Sequence, residues 1–201
     1  MRRTGSETRR EIIQNAMQLF TLKGYNHTSI NDLLAATNLT KGGLYGHFKS
    51  KEEIWNASYA GAVDLWKGIV FRGVHEIDDP LERIQRVIEQ DLRDYVGGRV
   101  FTGGCFFFNL LVELSGQAPE MSGQILRGFD AFSTLLAKWL TEARERSMVA
   151  DGVNPREVAD FLVVALNGAT AIFSARMEPE ILEGTIRQLR RHIDDLRICP
   201  C

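Results

Sequence analysis

The sequence predicts an all-α protein of about nine helices, with a small N-terminal three-helix bundle packed on a larger C-terminal helical domain. Three observations predict it. Every clear apolar repeat has the 3.6-residue period. No alternating apolar-polar runs joined by Asn-Gly type turns occur. The segments are punctuated by helix-start chemistry, as in Asp79-Pro80, Ala118-Pro119, Asn154-Pro155 and Glu178-Pro179.

The elements follow in order. Over residues 7 to 23, Ile13, Ala16, Met17 and Phe20 recur on one face, and Gly24 ends the helix. Thr28 or Ser29 caps a short second helix that offers Ile30, Leu33 and Leu34 to the same core and stops near Thr37. Thr37-Asn38-Leu39 is a tight corner, with Asn38 suited to the left-handed region. Thr40 caps a third helix whose Leu44 and Phe48 face inward. Lys41, Gly42, Gly43, Tyr45 and His47 are left to face outward or sideways. Ser50, with Glu53 three residues on, reads as the capping box of a fourth helix running to about Phe71. Further helices are expected near residues 80–97, 103–116, 119–147, 155–176 and 180–197.

Composition narrows the class. The chain has 201 residues, 44% of them apolar, and a formal charge of -2. Residues 1–55 carry eight basic against five acidic side chains, so the N-terminal end is +3 and the remainder -5. The basic end is the candidate anion-binding end. No signal-like leader and no run of about 18 uncharged apolar residues is present, so a soluble cytoplasmic chain is expected. Three cysteines, Cys105, Cys199 and Cys201, make no disulfide framework, and Cys199-Pro200-Cys201 is expected to do nothing. Enzyme chemistry finds little support, because His27, His47, His75 and His192 are scattered and neither HExxH nor paired CxxC occurs. No cofactor or metal is expected.

Helix, three-residue turn and short helix form a helix-turn-helix, whose second helix enters the DNA major groove by its N-terminal end. Glycine is a poor helix residue, yet Gly42 and Gly43 open this one. Bare glycines there would let the backbone approach base edges and phosphates. The stretch GYNHTSINDLLAATNLTKGGLYGHFKSKEEI resembles the N-terminal signature of the TetR family of transcriptional regulators. The match runs through Gly24-Tyr25, Thr28-Ser29, Leu39-Thr40, Gly42, Leu44-Tyr45, His47-Phe48 and Lys51. Leu34 stands where the family usually has Ala, and Thr37-Asn38 replace its common Ala-Gly.

The resemblance implies a homodimer on a (pseudo)palindromic operator, usually a repressor released when a small effector enters the C-terminal domain. It divides the chain into a DNA-binding domain at 1–48 and an effector-binding and dimerisation domain at 49–201. Carried onto this chain, Thr28, Ser29, Tyr45, His47 and Lys51 are phosphate-contact candidates, with Thr40 capping the recognition helix. Lys41, Gly42 and Gly43 are the base-approaching candidates. A helical small-molecule-binding or interaction protein without DNA binding is the alternative.

Two features fall outside the signature. Leu182, Ile186, Leu189, Ile193 and Leu196 form a seam of 3.5-residue period, and the preceding helix, with Phe161, Ala165 and Ile172, is apolar nearly all round. Together they are the expected dimer interface. In TGGCFFFNLLVELSG, residues 102–116, Cys105, Asn109 and Glu113 recur every four residues and share a face otherwise surrounded by residues such as Phe106. That stripe is either a solvent edge or the polar lining of an effector cavity, with aromatic walls such as Trp66 and Phe132. Cys105 near a helix start also reads as a redox or electrophile sensor, or as a small buried apolar residue.

Overall fold

A computed structural model describes residues 4–198. Cys199 and Cys201 lie outside the described residues. Nine α-helices are present among the described residues, with no strand: α1 Gly5–Lys23, α2 Ile30–Thr37, α3 Lys41–Tyr45, α4 Lys51–Val70, α5 Pro80–Glu89, α6 Phe106–Leu114, α7 Pro119–Glu145, α8 Pro155–Arg176 and α9 Pro179–Asp194. The described residues fall into two compact units, one made of residues 4–66 with Phe101–Pro119, the other of Lys67–Val100 with residues 120–198. This division follows a different line from the expected 1–48 and 49–201, because most of α4 and all of α6 fold with the N-terminal helices.

In the first unit, α1 begins two residues earlier than expected. Thr4 accepts from the Glu7 N–H while Glu7 reaches back to the Thr4 N–H, a reciprocal cap. Its buried face is Ile12, Ala16, Met17 and Phe20, so Ile12 takes the place expected for Ile13, which is only half-buried. Trp55 from α4 is the centre of the core. Phe106 stacks on it at 5.8 Å, and Phe20 and Tyr25 approach at 6.2 and 5.6 Å. Helix α6 starts three residues later than expected. Gly103 is pressed against the Thr21 and Leu22 backbone and Gly104 has φ +104°, so helical geometry resumes only after Cys105.

In the second unit, α5 buries Leu81, Ile84, Val87 and Ile88, and α9 buries Leu182, Ile186, Leu189 and Ile193. Arg93 pairs with Glu183 of α9, and Gln85 donates to Asp194 at 2.7 Å. The segment expected as one helix over 80–97 changes at Gln90 into a π-helical turn, Gln90–Val96, closed by the Gly97 N–H to the Leu92 carbonyl at 2.8 Å. The wider turn directs Gln90, Asp91, Leu92, Tyr95 and Val96 inward together.

Candidate nucleic-acid interface

Ser29 opens α2 with a reciprocal cap. Its hydroxyl accepts from the Asp32 N–H at 3.1 Å, and the Asp32 carboxylate accepts from the Ser29 N–H at 2.7 Å. Lys23, at the end of α1, reaches Asp32 at 2.6 Å. These contacts, first the Lys23 hydrogen bond and then those of Ser29, hold the Asp32 carboxyl well below the usual carboxylate range. Asn38 ends α2 in the left-handed region at φ +54°, as the corner requires. Thr40 then caps α3 by accepting from the Gly43 N–H at 3.2 Å.

Inward, Leu44 and Phe48 are wholly buried. Outward, Thr40, Lys41 and Gly42 are exposed and Tyr45 keeps 42% of its surface, while Gly43 and His47 are half-buried. A Cβ at Gly42 would meet nothing within 4 Å, and one at Gly43 would make only ordinary contacts with Thr40 and Leu39. The protomer's own packing therefore does not require glycine at either position. Ser50 accepts from the Glu53 N–H at 3.1 Å, but Glu53 reaches back to the Lys49 N–H, one residue before the expected capping partner. Lys49 is exposed beside this surface and was not singled out from the sequence. Its position after the buried Phe48 is the signal that could have found it.

Two phosphate candidates stand differently. Thr28 is fully buried, and its hydroxyl donates to the Gly24 carbonyl at 2.7 Å. Its side chain locks the turn and is not a phosphate contact. Lys51 donates to the Tyr25 carbonyl and lies 4.2 Å above the Tyr25 ring. Burial lowers its pKa, opposed by the charges of Glu113 and Asp32.

The expected effector stripe on α6 is also placed differently. Asn109 donates to the carbonyls of Thr21 (3.3 Å) and Gly103 (2.6 Å). Glu113 accepts from the N–H groups of Tyr25 and Asn26. These polar atoms bind the end of α1 and the turn after it; they form neither a solvent edge nor a cavity lining. Phe106 has no exposed surface and belongs to the aromatic core, and Cys105 is a buried thiol outside any disulfide. Trp66 is half-buried with its ring 6.4 Å from Phe107, and Phe132 is buried in the second unit 6.3 Å from Phe71.

The dimer expectation divides between its helices. Leu182, Ile186, Leu189 and Ile193 are buried within the protomer, so the α9 seam is used internally and is not available to a second chain. On α8, Phe161 and Ile172 remain 50% and 51% exposed, Val164 is 70% exposed, and Ala165 is half-buried. Val164 completes a stripe with Phe161, Gly168 and Ile172 at successive spacings of three, four and four. By length and a mean hydropathy of 1.7, α8 is apolar enough to cross a membrane. Its opposite face, with Leu162, Leu166, Ala169 and Phe173, is nevertheless buried in its own unit.

Residues 12–57 match the family described as "Bacterial regulatory proteins, tetR family", and residues 80–189 match "Tetracyclin repressor-like, C-terminal domain". The HTH-type transcriptional repressor DhaR of Mycobacterium sp. (strain GP1) is 27% identical over 167 residues, which cover 80% of this chain and 79% of that one. A TetR transcriptional regulator from Chloroflexus aurantiacus J-10-FL superposes with a TM-score of 0.90 at 24% identity, covering 97% of this chain and 98% of that one. AibR, solved in complex with isovaleryl coenzyme A and operator DNA, superposes with a TM-score of 0.71 at 22% identity, covering 90% of this chain and 97% of its own. The second match alone spans more than half of the sequence, and the chain belongs to the TetR family of bacterial transcriptional regulators, which bind DNA and are not enzymes.

Proposed function

We propose that this regulator is a cytoplasmic homodimeric repressor that binds a (pseudo)palindromic operator and leaves it when a small molecule enters the C-terminal domain. The observation that carries the reading is the α3 tip. Leu44 and Phe48 anchor it, while Gly42 faces open space with no packing reason to be glycine. A backbone bared outward is suited to a partner that must come close, and the partner here is the major groove. Ser29, Thr40, Tyr45, His47, Lys49 and Lys51 take phosphates, and Lys41, Gly42 and Gly43 approach bases.

The exposed α8 stripe at Phe161, Val164 and Ile172 supports pairing about a two-fold axis, because one face of the helix is filled and the other is apolar and open. Pairing sets two α3 tips against half-sites about 34 Å apart. Effector binding is read in the second unit. There Gln90 is buried, its amide donates to the Arg72 carbonyl at 3.1 Å, and its own carbonyl oxygen has no hydrogen-bond partner among the described residues. A ligand offering a hydrogen-bond donor would satisfy that acceptor.

The test is fluorescence anisotropy on duplex fragments upstream of the chain's own gene, with light scattering on the protein alone. A dimer that binds one fragment tightly and weakens steeply with salt is expected. A monomer at micromolar concentration, or equal affinity for every fragment, would overturn the reading.

A further inference from the structure

The turn between α1 and α2 is gripped from two sides. Glu113 of α6 accepts from two consecutive peptide groups, the Tyr25 N–H at 2.7 Å and the Asn26 N–H at 2.8 Å, one on each carboxylate oxygen. Its side chain is only 17% exposed. Gly24 makes room for it. At φ +86° a side chain is already strained, and a Cβ there would lie 2.6 Å from the Glu113 carboxylate atoms. From the other side, Lys51 at the start of α4 donates to the Tyr25 carbonyl. One residue's N–H is thus held by α6 and its C=O by α4.

Neighbouring bonds extend the grip. Asn109 holds the Thr21 carbonyl, and Asn26 donates to Gln117 at 3.0 Å, so Asn109, Glu113 and Gln117 act along one line of α6 and the turn that follows it. Three residues after Asn26 stands Ser29, the cap of α2, and Lys51 is itself a proposed phosphate contact.

We infer that Glu113 is a positioning residue for DNA binding, a carboxylate on α6 that fixes the α1–α2 turn and thereby the placement of Ser29 and Lys51. This rests on the DNA-binding reading above. Glu113 reaches no DNA itself. It acts by supplying charge-assisted hydrogen bonds, about twice as strong as neutral ones, to a turn that would otherwise sample other geometries. Glu113→Gln keeps the shape but turns an amide NH2 toward a peptide N–H. Glu113→Asp keeps the charge on a stem one methylene shorter.

The experiment measures affinity of the full-length protein for its own upstream duplex DNA, the salt slope of that affinity, and amide hydrogen exchange. For Glu113→Gln, Kd should rise about tenfold, the size of one such bond. The salt slope should become shallower by no more than about one phosphate contact, that of a displaced Lys51, and exchange protection should fall at Tyr25 and Asn26 but not along α8. Glu113→Asp should fall between the two. A Kd within twofold of wild type overturns the inference, as does a weaker Kd accompanied by equal loss of protection along α8, which would mark general destabilisation. Wild-type protein that binds no upstream fragment overturns the DNA reading itself, and this inference with it.

Discussion

The glycines of α3 and those around the α1–α6 junction solve opposite problems. At Gly103 a Cβ would sit 2.7 to 2.9 Å from backbone atoms of Thr21 and Leu22, and at Gly24 the Glu113 carboxylate occupies the space. Their reason is inside the protomer. At Gly42 the same Cβ would meet nothing within 4 Å, so its reason lies outside. The pattern repeats in the second unit, where the α9 seam is consumed internally and the α8 stripe is left over. Residues whose identity the protomer does not explain mark the surfaces on which it acts.

The largest effect should come from placing a negative charge at the outward glycine. Gly42→Glu is expected to weaken binding to upstream DNA by about 3 kcal/mol, because like charges are brought together at close range. The unfolding midpoint should stay near wild type, since nothing is displaced. Gly42→Ala should even gain about 0.5 kcal/mol in stability from helix propensity while still weakening DNA binding. Anisotropy and urea unfolding on the same samples check both. A Gly42 variant that unfolds early would break the contrast.

The inward counterpart should behave in reverse. Gly103→Ala forces a methyl against backbone that cannot swing aside, and overpacking of this kind costs about 2–3 kcal/mol. Urea unfolding should show the loss, where Gly42→Ala shows a gain. Next in size is Val164→Arg on the exposed α8 stripe. A charge at the centre of an apolar contact should cost about 2 kcal/mol of association, moving light-scattering mass toward the monomer without loss of helical signal. A dimer left intact would show that another surface pairs.

Much of this was legible beforehand because it depends on local chemistry. Asn38 at the corner, Thr40 as a cap, and Leu44 with Phe48 on one face all follow from short-range rules, and the structure places them so. What escaped was long-range. The spacing of Asn109 and Glu113 revealed a polar face but not its partner, which is backbone 88 residues away. Leu182 to Ile193 revealed an apolar seam, but periodicity does not say whether its partner is in the same chain. Thr28 and Ser29 are both hydroxyl residues at a helix start. Only the fold turns one inward onto Gly24 and leaves the other as the cap.

The smallest effect, and the one that probes the junction side alone, concerns Asp32. Its carboxylate accepts from Lys23 and from the Ser29 N–H and hydroxyl, at 2.6, 2.7 and 2.6 Å, tying the end of α1 to the start of α2. Folding depresses its pKa, so it stabilises the fold at pH values above its unfolded pKa of about 4, and that contribution is lost as pH falls toward the depressed folded value. The pair is exposed and screened by salt, so the effect should be modest. Wild type should therefore melt above Asp32→Asn at pH 6 to 7, with the gap closing as melting curves are taken below about pH 4. A gap that stays constant across that range would mean that Asp32 contributes through shape and not through charge, and would leave the Lys23 contact without energetic weight.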